Sequence, residues 1–189
     1  MLTITQLEKN QKIFKETNAK YGIFTKELED FLGDDFYTSP ASSSINMIGC
    51  YPGGLLQHLI KACKFAINVN EILPDRLKQL PESIVKVVFL SQIGKVFMFK
   101  LKVGMESSSK PYNFDDDIVR LRVGERSVYY ALTHGVKLDE KEYQAILNIE
   151  KDNDDKMSKY FSEPLAEIIK HGFDLAIMEE KNGQKQRNI

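Results

Sequence analysis

Cysteine is scarce in this chain of 189 residues: Cys50 and Cys63 are the only two. Neither stands in a metal-type spacing, and the chain has no secretory features, so both read as free thiols, with Cys63 at a core position of a helix. Excess charge is lacking too. The 26 basic and 27 acidic residues nearly cancel, so no broad nucleic-acid-binding field is expected, although a local basic patch stays open. No apolar stretch approaches the roughly 20 residues of a membrane span, and Met1-Leu2-Thr3 does not open a signal peptide. A Gly-rich phosphate loop and a Gly-x-Ser-x-Gly elbow are also missing. Asp115–Asp117 and Asp152–Asp155 lack the glycine and terminal glutamate of an EF-hand loop, so they read as solvated acidic loops.

What is present is an ordinary apolar fraction, 42%, in enough chain to bury one core. One domain is expected over residues 1–180, with a disordered tail over 181–189 that has almost nothing to pack. Thr3 to Leu32 is helix-patterned through Leu7, Phe14, Ile23, Phe24, Leu28, Phe31 and Leu32, with Gly22 a break and Gly33 a stop. Asp34 to Pro52, rich in Ser, Pro and Gly, reads as a loop. Leu55 to Leu73 is amphipathic: Leu55, Leu59, Ala62, Cys63, Ala66 and Val69 share a face, with His58 beside it, and Pro74 ends the helix. A further helix is expected from Pro81 to about Ile93.

The period then changes. Phe97, Phe99, Leu101 and Val103 alternate with Met98, Lys100 and Lys102, and Val119, Leu121 and Val123 alternate with Arg120 and Arg122. The pattern predicts a small β-hairpin at about 96–123, with a long solvated tip from Gly104 to Asp117. Helices are expected again over Glu125–Thr133, Asp139–Lys151 and Ser162–Glu180. The fold class is thus mainly α, a helical bundle with one small hairpin inserted.

Two segments at a suggestive separation carry the strongest signal: Tyr51-Pro52-Gly53-Gly54-Leu55-Leu56-Gln57-His58 and Leu90-Ser91-Gln92-Ile93-Gly94-Lys95. Together they resemble the paired motifs of the HD phosphohydrolase superfamily, Gly-Gly-Leu-x-x-His followed by Leu-His-Asp-x-x-Lys. Four further segments are similar, in the same order, to small stand-alone HD proteins of bacteria and phages. They are Asp35 to Ser42, Gly124 to Val128, the Leu138–Ile149 helix through Glu142, Ala145 and Ile146, and Pro164-Leu165 to His171-Gly172-Phe173-Asp174. The resemblance implies an HD-like bundle.

It also implies chemistry that the residues do not carry. The family's metal-binding His-Asp pair reads Ser91-Gln92 here. Val123 stands where a histidine is expected before Gly124, and Ile149-Glu150 where a His-Met pair is expected. A hydroxyl and an amide are weak, neutral ligands for a divalent transition metal, and a catalytic site needs three or more ligands. No catalytic residue, metal or cofactor is therefore expected, only a vestigial pocket of His58, Ser91, Gln92, Lys95, His171 and Asp174. Each has a plain structural reading. His58 is a hydrogen-bonded core remnant, and Asp174 either pairs with Lys95 or His171 or faces solvent. His134 is a helix-end residue meeting the C-terminal dipole.

Three functions follow. The first is a catalytically inactive HD-like protein acting as a binding or structural component, with a protein partner and a larger assembly such as a phage particle or its assembly in view. The hairpin and the tail are its contact elements. The second is a metal-free nucleotide-binding module using Lys95, Arg120, Arg122 and Arg126 for the anion. The third is a residual metal-dependent phosphohydrolase, for which too few ligands remain. The expected location is the cytoplasm, or a virion for a phage-encoded chain, with no membrane and no nucleic-acid partner.

Overall fold

The computed structural model describes residues 2–149 and 163–187, and no side chain beyond residue 183. Among the described residues it holds eight α-helices and one two-stranded antiparallel sheet. The mainly α fold with a small hairpin agrees with the sequence pattern.

Local chemistry sets the first boundaries. Helix α1 (Ile4–Tyr21) begins in a capping box, with the Thr3 hydroxyl accepting from Gln6 N and the Gln6 side chain accepting from Thr3 N. It ends at Gly22, whose left-handed φ of 60° lets its N–H reach the Asn18 carbonyl at 2.7 Å. Helix α2 (Lys26–Leu32) starts on the Thr25 hydroxyl and stops at Gly33. One further helix, α3 (Asp35–Thr38), lies inside the stretch read as loop. It is too short to show a 3.6-residue period, which is why the pattern missed it.

Helix α4 (Gly54–Ile72) and helix α5 (Pro81–Ser91) form the centre. Six consecutive apolar side chains of α5, apart from Lys86, are buried from Ile84 to Leu90, the signature of a helix covered on every side. The N-terminal helices dock on them through an aromatic knot: the Phe14 ring lies 4.9 Å from Phe24, 4.8 Å from Phe36 and 5.2 Å from Phe89. Helices α6 (Val123–Thr133), α7 (Glu140–Asn148) and α8 (Pro164–Arg187) close the bundle. α8 packs along α4 at van der Waals distance because Gly172 has no side chain. A Cβ there would lie 2.7 Å from Ala66 Cβ and 2.8 Å from the Ala62 carbonyl.

Several boundaries differ from the sequence reading. α5 ends at Ser91, and a 3₁₀ turn (Ile93–Lys95) follows it. The hairpin pairs β1 (Phe99–Leu101) with β2 (Tyr112–Phe114), so the return strand lies in the stretch expected to be the tip. The aromatic residues Tyr112 and Phe114 supply its strand preference. The Val119–Val123 alternation is no strand: Val119 is 75% exposed, and Val123 already opens α6. α8 also runs past Lys181, where a disordered tail was expected. Gln184, Lys185, Gln186 and Arg187 are good helix formers, and one glycine costs a helix only about 1 kcal/mol. Residues 150–151 and 162, given to helices above, and the Asp152–Asp155 run lie outside the described residues.

Candidate functional site

Both segments of the resemblance contribute buried polar side chains, His58 from one and Ser91 and Gln92 from the other. His58 stands on the inner face of α4 and is 4% exposed. Its Nδ1 lies 3.4 Å from Glu180 Oε1, with both side chains under 8% exposed. The His58 ring packs 5.4 Å from the Phe173 ring. Lys61, one turn along α4, reaches the same Glu180 oxygen at 3.6 Å and Glu179 at 3.4 Å. The imidazole is thus tied to α8 by a carboxylate that a cation one turn away also neutralises.

Ser91 and Gln92 close the far end of α5, and both are buried. The Ser91 hydroxyl donates to the Val88 carbonyl at 2.9 Å, so it is turned back on its own helix. The Ser91 carbonyl accepts from the Ser127 hydroxyl at 2.9 Å, and that hydroxyl in turn accepts from Gly94 N at 2.9 Å. Ser127 therefore joins α5, the 3₁₀ turn and α6 with one oxygen. Gly94 is required here, since a Cβ would lie 2.4 Å from the Val123 carbonyl. Arg126, 3% exposed, completes the seam. Its guanidinium donates to the Gly94 carbonyl at 3.3 Å and to the Val119 carbonyl.

The remaining expected site residues scatter. Lys95 is half-buried on the 3₁₀ turn, while His171 and Asp174 are exposed on α8. Arg120 is on the surface, paired with Asp116 at 3.2 Å and set over the Phe114 ring at 5.8 Å. Arg122 is exposed at the start of α6, where its backbone N–H donates to Glu125 at 2.9 Å. His134 caps the end of α6, with Nδ1 2.8 Å from the Tyr130 carbonyl and its ring stacked on Phe31 at 4.1 Å.

The donor set does not fit the divalent metal that the resemblance implies. Ser91 faces a backbone carbonyl and the His171–Asp174 pair is exposed, which leaves His58 with Glu180 as a buried imidazole–carboxylate pair, short of the three ligands a catalytic site needs. Among the described residues no three His, Cys, Asp or Glu side chains gather as a metal-holding group.

Sequence reasoning missed Glu180, Ser127 and the Lys86–Glu142 pair. Glu180 follows Phe173 and Ala176 by seven and four residues, on the apolar stripe of α8, so a carboxylate on a core face was the available signal. Lys86 Nζ lies 2.6 Å from Glu142 Oε2, joining α5 to α7. The same lysine donates to the Lys137 carbonyl at 2.6 Å.

The fold and these contacts define a mainly α-helical chain in which His58, Ser91, Ser127 and Arg126 are bonded to other side chains or to the backbone. No helix among the described residues is long and apolar enough to cross a membrane. Compared with protein-family models, with curated proteins and with solved structures, the chain matches none.

Proposed function

We propose that this chain is a catalytically silent, HD-like protein that acts by binding, as a structural or assembly component with a protein partner. One observation carries the reading. His58 is tied to Glu180 across α4 and α8, the Ser91 hydroxyl is turned onto the Val88 carbonyl of its own helix, and Ser127 and Arg126 join α5, the 3₁₀ turn and α6 beside it.

Ser91 held this way is a poor ligand, because recruiting its hydroxyl would leave the buried Val88 carbonyl without its partner. What argues against chemistry at His58 is that no three ligand-type side chains gather among the described residues. The nucleotide reading draws no such support. Of its four cations, Arg126 is held by backbone carbonyls, and Arg120 by Asp116 on the surface.

The test is a turnover screen of the full chain against phosphomonoesters, phosphodiesters and nucleoside triphosphates, with manganese, nickel or magnesium added. The expected result is no turnover above the metal-only background. Turnover that scales with protein and is lost in His58→Ala overturns the reading.

A further inference from the structure

Helix α8 is held to the bundle in two different ways along its length. From Pro164 to Ala176 the hold is apolar: Leu165, Ile168, Ile169, Phe173 and Ala176 are all buried. Gly172 brings the α4 and α8 backbones together within the same stretch. Burial of this kind is strong and does not depend on charge.

Past Ala176 that hold stops. Among the described residues no later apolar side chain joins the core; Ile177 is half-buried and Met178 is 54% exposed. The stripe of Phe173 and Ala176 continues at Glu180, which is 9% exposed. A carboxylate thus stands where an apolar side chain would have fastened the helix.

Its contacts are ionic and long. Glu180 Oε1 meets His58 Nδ1 at 3.4 Å and Lys61 Nζ at 3.6 Å, and Glu179 meets the same lysine at 3.4 Å. All three exceed the roughly 3 Å of a close N–H···O bond. The Lys61 side chain is 32% exposed and that of Glu179 54%, and ion pairs open to water hold weakly and are screened by salt. The helix is weak here in itself, since Gly183 follows three residues later and glycine is a poor helix former.

We propose that the end of α8, from Ile177 onward, is a latch over His58. It is closed by ion pairs with α4 and opens while the rest of the bundle stays folded. Opening carries the Glu180 carboxylate away from an imidazole that is only 4% exposed when the latch is closed. It presents His58 beside the Lys61 ammonium, the two groups that Glu180 bridges in the closed state. The inference rests on the contacts of α8 and not on the function proposed above.

Two readouts on the full chain test it: amide hydrogen exchange along α8, and the rate at which diethyl pyrocarbonate acylates His58. His171, exposed on the same helix, is the internal control. In low salt, residues 177–183 should exchange more slowly than an unstructured peptide of the same sequence, and His58 should react more slowly than His171. Lys61→Ala removes the cation shared by Glu179 and Glu180. It should quicken both the exchange at 177–183 and the acylation of His58, each about tenfold. Raising sodium chloride from about 0.01 to 1 M should move both in the same direction in the parent chain, where no variant has to fold. Exchange at 165–173 should stay unchanged throughout.

Exchange at 177–183 that ignores both salt and Lys61→Ala overturns the proposal. Exchange there that matches the unstructured peptide in the parent does so too, because no closed state then exists. If 177–183 quickens only together with 165–173, α8 opens as one unit and the Glu180 contact is a plain strut. If 177–183 quickens while His58 acylation does not, the end of the helix does not cover His58, and the latch is refuted.

Discussion

His58 Nδ1 sits 3.4 Å from Glu180 Oε1, and the pair ties the middle of α4 to the last third of α8. Both side chains are more than nine-tenths buried, so the contact is shielded from solvent, with Lys61 as the flanking cation. Breaking it by truncation strands a polar group in the core. His58→Ala should therefore lower stability by about 1–3 kcal/mol in urea unfolding. Glu180→Gln keeps a hydrogen-bonding oxygen and should cost less. A double-mutant cycle on His58 and Glu180 should show a coupling of about 1 kcal/mol. A coupling near zero would mean the two side chains do not support each other.

Arg126 is expected to behave as a strut rather than an anion ligand. Its guanidinium spans two backbone carbonyls, of Gly94 and Val119, which a single ammonium cannot do in the same geometry. Both Arg126→Ala and Arg126→Lys should destabilise the chain, the alanine variant by about 2–4 kcal/mol. Amide exchange at 118–122 should quicken in both, because the Val119 carbonyl loses its anchor. Phosphate added at millimolar concentration should not raise the melting temperature of the parent chain. A rise that depends on Arg126 would restore the anion-site reading.

The two thiols should separate sharply. Burial pushes the Cys63 thiol up to about 12, which leaves about one thiolate in ten thousand at pH 8. Burial also raises Cys50, though a hydrogen bond with Ser42 works against it. A disulfide reagent at pH 8 should label Cys50 first and Cys63 only on unfolding. The linkage has a definite sign. A thiol whose value is raised in the fold contributes stability that is full below its unfolded value and is lost as pH rises toward 12. Cys63→Ala should remove that part of the alkaline decline, as measured by unfolding between pH 8 and 11.

Gly172→Ala tests the α4–α8 contact. On helix propensity alone the change should stabilise by about 1 kcal/mol. The new Cβ would instead meet Ala66 Cβ at 2.7 Å and the Ala62 carbonyl at 2.8 Å. Net destabilisation of about 1–3 kcal/mol is expected. A stabilised variant would show that α8 does not pack this closely.

The longer helices were legible because each carries a period or a cap that acts locally, and the four-residue α3, with neither, was not. Thr3, Gly22, Gly33 and Asp139 mark their boundaries through hydrogen bonds within a few residues. The hairpin was legible in existence but not in register. Val119 to Val123 alternates like a strand, yet the antiparallel partner of Phe99–Leu101 is Tyr112–Phe114. Pairing is decided by contacts across the chain, and Arg126 holds Val119 from a separate helix. The site shows the same division. That His58 would be buried followed from its place beside an apolar face. That Glu180 would be its partner did not, because 122 residues separate them. Nor were the partners of Ser91 legible, since its hydroxyl bonds within α5 and its carbonyl accepts from Ser127 on α6, 36 residues on.

The most direct test of the central claim is metal content by elemental analysis, on protein purified without chelator or affinity-tag metal. Manganese, iron, nickel and zinc are expected well below one equivalent, since Ser91-Gln92 stands in place of a His-Asp pair and no three ligand-type side chains gather among the described residues. Near-stoichiometric metal that disappears in His58→Ala would contradict it, and would make this interior a ligand site rather than a set of struts.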